Sequence, residues 1–83
     1  MWYVYMLKSE KDKKHYIGST NDLKRRLQQH INSENNSTKY RLPLELIYYE
    51  AYLSEAPARL RERKLKIFGS AYYELKKRIP EMN

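Results

Sequence analysis

The chain has no cysteine, only two glycines and three prolines, and a single phenylalanine in its 83 residues. Without cysteine, neither a disulfide nor a thiolate zinc site can reinforce a small fold, and a reducing intracellular compartment is permitted. With so little glycine and proline there is no linker and no low-complexity segment, and no internal repeat is present. No apolar run approaches the ~18 to 20 residues of a membrane span. The opening MWYVYMLKSE has neither the charged start nor the small-residue cleavage site of a secretory signal. A soluble, cytoplasmic protein with no membrane partner is expected. A chain this short buries only about 60 to 65% of its unfolded surface, which supports one core. Residues 1–83 are therefore read as one domain.

Acidic residues are also in the minority. Ten Asp and Glu stand against seventeen Lys and Arg, for a formal net charge of +7. A polyanion is the default partner of such a surface. The basic residues gather in LKRRL (23–27), RLRERKLK (59–66) and KKR (76–78), each in a segment that reads as helical. Taken singly, each cluster is equally a solvated helix face. None carries the broad Trp, Phe and Leu face of an interfacial membrane helix.

What the chain does have is tyrosine, nine in all. MWYVYMLKS alternates Trp2, Val4 and Met6 with Tyr3, Tyr5 and Leu7, the pattern of a strand buried on both faces. EKDKK (10–14) is a polar turn and HYIGS (15–19) a second short strand, so the opening reads as a β-hairpin. Thr20, Asn21 and Asp22 offer N-cap side chains for a helix from about Asn21 to Asn32, in which Leu23, Leu27 and Ile31 form an apolar stripe bordered by Arg26 and His30. A polar loop over 32–43 leads to a third strand, LELIYYEAYL (44–53). Ser54 is expected to cap a second helix that tolerates Pro57 in its first turn and ends at Gly69. Ser70 would cap a last helix with Tyr72, Leu75 and Ile79 on one face. The resulting fold is α+β, in the order β-β-α-β-α-α.

Several of these residues converge. Tyr5 and Tyr16 lie on strands joined by a short turn, where both phenols can project from one sheet face. Gly18 allows a close approach at the strand exit. Arg26 and His30 are one helical turn apart. Glu62 borders the buried face formed by Ala58 and Leu65. Each has a bland account: packing for the tyrosines, shaping of the strand exit for Gly18, an exposed pair with Asp22 for Arg26, a dipole-favoured C-terminal position for His30, and an ion-pair hub for Glu62. Together, a carboxylate, an arginine, a histidine and two phenols are sufficient for metal-assisted phosphodiester cleavage.

The blocks YVY (3–5), YIG (16–18), DLKRRLQQH (22–30) and ARLRERKLK (58–66) resemble, in order and spacing, the signatures of the GIY-YIG nuclease superfamily. The compact single-domain bacterial members are nearest, and the chain is similar to the N-terminal nuclease domain of the excinuclease C subunit. The resemblance implies a small three-stranded antiparallel sheet flanked by helices. It also implies an endonuclease acting on DNA more than on RNA, in repair or recombination, with one Mg²⁺ or Mn²⁺ ion.

Matched position by position, Tyr5 and Tyr16 take the places of the two motif tyrosines. Arg26 takes that of the arginine holding the scissile phosphate, His30 that of the histidine one turn later, and Glu62 that of the metal-binding glutamate. Gly18, Lys24, Arg25, Arg61 and Lys66 are the expected nucleic-acid contacts. The first motif departs by reading Tyr-Val-Tyr, with its terminal tyrosine kept. An additional asparagine used by some members has no counterpart beyond Asn83, the only asparagine after Glu62. Tyr5 is the expected general base, and since a free phenol titrates near ~10, that role needs neighbouring positive charge. Tyr16 and His30 would position it or the water. A catalytically inactive nucleic-acid-binding module of the same fold, and a basic adaptor for an acidic protein partner, stay open beside the nuclease.

Overall fold

The computed structural model describes residues 1–32 and 42–83, so most of the polar loop expected over 32–43 lies outside the described residues. The elements are β1 (Trp2–Ser9), β2 (His15–Thr20), α1 (Leu23–Ile31), β3 (Leu44–Tyr52), α2 (Glu55–Lys66), α3 (Ser70–Arg78) and a closing 3₁₀ turn, Pro80–Met82. The expected order β-β-α-β-α-α is the observed one. All three strands are antiparallel, in the spatial order β2-β1-β3. β1 is central because it can be buried on both faces: Val4, Tyr5, Met6 and Leu7 are each at most 3% exposed.

Direct cross-strand pairs place their side chains on the same face, so the register assigns the faces. Val4 pairs with Ser19 and Glu50, and Met6 with Ile17 and Tyr48. That face meets α2 and α3 in the main core, where Val4, Met6, Ile17, Ala58, Leu65, Tyr72 and Leu75 pack together. Met82 of the 3₁₀ turn closes this core from the far end, a contribution that periodicity within the helices does not foretell. The opposite face carries Tyr5 opposite Gly18 and Leu7 opposite Tyr16, and α1 lies against it.

α1 departs from the expected stripe. Its buried residue is His30, 4% exposed, while Ile31 is 61% exposed and Leu23 and Leu27 are half-buried. At about 100° per residue His30 falls between Arg26 and Leu23 on the wheel, and Ile31 is turned a further 100° toward solvent. The phase is set by polar contacts with Tyr5, not by the aliphatic residues alone. Asp22 provides the N-cap, accepting from Arg25 N at 3.1 Å.

The end of α2 also differs. Its left-handed residue is Phe68, at φ 53°, and Gly69 has no positive φ. The Phe68 ring stacks edge-on against Tyr72, with centroids 4.8 Å apart, and this contact compensates an unfavourable backbone conformation. Gly69, not Ser70, is the N-cap of α3, and Ser54 caps α2 without a side-chain hydrogen bond. No helix is long and apolar enough to cross a membrane, among the described residues.

Candidate active site

A cleft of about 500 Å³ wraps around the free edge of β2, and Tyr5, Tyr16, Gly18, Arg26, His30, Glu62 and Lys66 all line it. It draws on both faces of the sheet. Consecutive strand residues point to opposite sides, so Gly18 belongs to the Tyr5 face and Ser19 to the α2 face. Glu62 reaches the cleft from α2, where its carboxylate accepts a short hydrogen bond from the Ser19 hydroxyl.

On the other face, Tyr5 lies across Gly18. A Cβ at position 18 would come within 2.6 Å of Tyr5 Cζ and nearer still to its hydroxyl. Glycine is required here for close approach, and the approaching group is the Tyr5 ring itself. The phenol ends between two side chains of α1. Arg26 Nε donates to the Tyr5 oxygen at 3.2 Å, and Tyr5 Oη lies 3.2 Å from His30 Nε2. Burial, reinforced by the Arg26 charge, lowers the His30 pKa from its ordinary value, so the neutral imidazole is favoured. The Tyr5 oxygen accepts from Arg26, and the imidazole tautomer sets whether the phenol donates to Nε2 or accepts from it. The bland account of Arg26 as a partner of Asp22 is not the contact seen, because Arg26 Nη1 donates to Gln29 Oε1 at 3.0 Å.

The profile of the GIY-YIG catalytic domain matches residues 1–78. The chain belongs to the GIY-YIG family. A UPF0213 protein of Streptococcus pyogenes serotype M5 (strain Manfredo) is 42% identical over 76 residues, covering 84% of this chain and 82% of its own. A UPF0213 protein of S. pyogenes serotype M3 (strain ATCC BAA-595 / MGAS315) matches over the same extent with the same identity. Among solved structures, the solution NMR structure of the UPF0213 protein from Bacillus halodurans aligns with a TM-score of 0.55 at 30% identity, covering 90% of this chain and 81% of that one. GIY-YIG is a nuclease family whose substrates are nucleic acids, and its members are generally dependent on a divalent metal.

The donor chemistry of this GIY-YIG domain fits such an ion at Glu62. Among the described residues no three His, Cys, Asp or Glu side chains stand together as a metal cluster. A carboxylate beside a hydroxyl is nevertheless a hard oxygen set. Mg²⁺, which keeps several waters, typically takes only one or two carboxylates from the protein. Burial alone would raise the Glu62 pKa, but hydrogen bonds from Lys66 and Ser19 outweigh it and hold the carboxyl below its ordinary value. Lys66 Nζ sits 2.8 Å from Glu62 Oε2, on a side chain about half exposed and able to swing away.

The remaining expected contacts are dispersed. Tyr16 lines the cleft but its hydroxyl donates to Asp12 Oδ2 at 3.2 Å. Arg25 lines an adjoining depression, and Lys24 a shallow one on the other side of α1 beside Tyr3 and Tyr49. Arg61 is not brought to the cleft. Its Nη2 and Nε grip Glu50 at 3.0 Å, and the same carboxylate accepts from Tyr48 and Tyr52 at 2.6 Å each. The KKR segment lies outside the lining, as does Asn83, whose backbone oxygen accepts from Lys8 Nζ. The motif assignment does not point to Ser19 and His15, which also line the cleft. Ser19 could have been found from strand alternation, since it shares the α2 face with Val4. His15 precedes the YIG block, hydrogen-bonds through Nδ1 to Tyr72, and keeps Nε2 buried without a partner among the described residues.

Proposed function

We propose that this chain is a divalent-metal-dependent endonuclease that hydrolyses phosphodiester bonds in DNA, working as one domain over residues 1–83 in the cytoplasm, in repair or recombination. The observation that carries this is the Tyr5 hydroxyl 3.2 Å from both a guanidinium nitrogen and an imidazole nitrogen, at the edge of the cleft that also holds Glu62.

Tyr5 is the general base. As the attacking water approaches the phosphorus, it passes a proton to the Tyr5 oxygen, while the phenol proton moves to His30 Nε2. Arg26 stabilises negative charge at both ends, holding the Tyr5 oxygen through Nε and offering its other terminal nitrogen to a non-bridging phosphate oxygen. Tyr16, anchored by Asp12, walls the water's side of the cleft. A metal ion held by Glu62, with Ser19 fixing that carboxylate, would supply Lewis-acid stabilisation of the phosphate and the departing oxygen. Lys66, displaced from Glu62, and Arg25 are then placed to contact flanking phosphates.

The test is incubation with labelled single-stranded, duplex and branched DNA, with and without Mg²⁺ or Mn²⁺, alongside Glu62→Gln. The expected result is metal-dependent nicking that Glu62→Gln abolishes while folding and DNA binding persist. Binding without nicking by the unaltered protein would instead identify an inactive nucleic-acid-binding module.

A further inference from the structure

Next to the cleft lies a second depression of about 290 Å³, whose lining includes Trp2, Asn21 and Arg25 and which shares Ser19, Arg26 and Arg59 with the first. Three shared residues make the two concavities one continuous groove past the end of β2. Arg59 stands at the junction. Its guanidinium carbon is 5.2 Å from the centre of the Trp2 ring, within cation–π range. Trp2 is a rigid support, paired with Tyr52 at the start of β1 and packed against the main core. The guanidinium is thus held from one side by an aromatic ring, while its side chain is 51% exposed. Among the described residues its ion pair uses Nε, to Glu55 Oε2 at 3.1 Å, a solvent-exposed contact that engages neither terminal nitrogen.

We propose, building on the nuclease reading, that Arg59 laid on Trp2 is a nucleotide subsite: the base flanking the scissile phosphate stacks on the outer face of the guanidinium. Arginine planes and aromatic rings are the usual platforms for splayed bases, and stacking of this kind does not select sequence. Arg25 and Arg26 on the opposite wall neutralise the phosphates on either side. A base inside an intact duplex presents no free face, so the subsite selects DNA with an unpaired nucleotide at the cut, such as a single strand, a flap or a branch.

Trp2 is the chain's one tryptophan, so its emission reports this subsite alone. The metal-free protein is titrated with oligothymidylate of about eight nucleotides, within the span such grooves accommodate, and binding is followed in parallel by anisotropy of a labelled oligonucleotide. The expected result is a saturable change in Trp2 emission with the same midpoint as the anisotropy, and weaker binding of a closed duplex. Arg59→Ala should remove the emission response, weaken binding about fivefold or more, and reduce the log-log salt slope by about 0.7. Arg59→Lys should keep the slope yet lose the response and most of the affinity gain, because it retains charge without a plane. Arg63→Ala, an exposed change on the same helix outside both linings, should match wild type. Oligonucleotide binding with unmoved Trp2 emission, equal affinity for closed duplex, or Arg59→Lys indistinguishable from wild type overturns the subsite and leaves the nuclease standing. Absence of both binding and cleavage with every DNA form overturns the two together.

Discussion

Gly18→Ala adds one carbon at the point where Tyr5 crosses β2, and the structure sets the size of the effect. The new Cβ would lie 2.6 Å from Tyr5 Cζ and 3.1 Å from Cε1. Carbon atoms settle about 3.5 to 4.0 Å apart, so the ring must retreat by about 1 Å. Tyr5 is only 3% exposed, so the retreat occurs inside packed structure. Crowding of that kind costs about 1 to 3 kcal/mol. Alanine regains roughly 0.5 to 1 kcal/mol over glycine within a strand. The net loss is about 2.5 kcal/mol at most, a fall in Tm of up to ~20 °C at about 4 to 8 °C per kcal/mol for a domain of this size. Activity should suffer more than stability. A displacement of ~1 Å in a reacting group costs on the order of a hundredfold in rate, and here it opens the hydrogen bonds to Arg26 and His30 together. Single-turnover cleavage below the melting temperature measures this directly. In a Tyr5→Phe background the alanine should add little further loss, because both changes remove the same group from the same geometry. A Gly18→Ala protein that cleaves at the wild-type rate, while Tyr5→Phe is crippled, would refute the assignment of Gly18 as the space Tyr5 needs.

Arg26→Lys should lower single-turnover cleavage about a hundredfold, the equivalent of roughly 3 kcal/mol of transition-state stabilisation, with little change in DNA affinity, while Arg25→Lys stays near wild type; equal rates for the two would remove Arg26 from the site. Arg61→Ala leaves the partly buried Glu50 carboxylate with its two tyrosine hydroxyls but without the guanidinium, and should destabilise by about 1.5 to 3 kcal/mol in thermal unfolding without changing cleavage below Tm. His15 and His30 both have pKa values lowered in the fold, by burial first, then by Lys8 and Lys76 for His15 and by Arg26 for His30. The folded state then binds fewer protons than the unfolded chain. The stability contributed by the neutral rings is complete above their ordinary value of 6.5 and is lost as pH falls below it. Tm measured between pH 7.5 and 5, at roughly constant ionic strength, should fall toward acid, and His15→Gln should flatten part of that slope.

Strand alternation and helix punctuation were enough to read the element order, because β1 is apolar on both sides and each helix opens after Asp, Ser or Gly. The four motif blocks likewise pointed to Tyr5, Tyr16, Arg26, His30 and Glu62, all of which line one cleft. What escaped the sequence was settled by tertiary contacts. Ile31 reads as part of a buried stripe, but His30 takes the buried position because its partner is a phenol on β1. Gly69 reads as the helix stop, but Phe68 adopts the left-handed conformation where Tyr72 can receive its ring. Arg61 reads as one more base in a cationic run, and only the spatial neighbour Glu50, eleven residues earlier, withdraws it from solvent. Neighbouring charges in a helix are alike in sequence and unlike in phase. A helical wheel separates them only once the partner across each face is known.

The location of the cleft at the rim of the sheet has a consequence for solubility. β2 is an edge strand, and among the described residues no further strand pairs with it. An unpaired edge is a template for strand addition from another molecule and a route to aggregation. Here the rim is short, six residues, and is overhung by Arg26 from α1 and by Arg59 and Lys66 from α2. The cations that line the groove therefore also repel a second copy of the same edge. Charge-neutralising substitutions made to probe the chemistry should be checked for self-association before a loss of activity is read as a loss of catalysis.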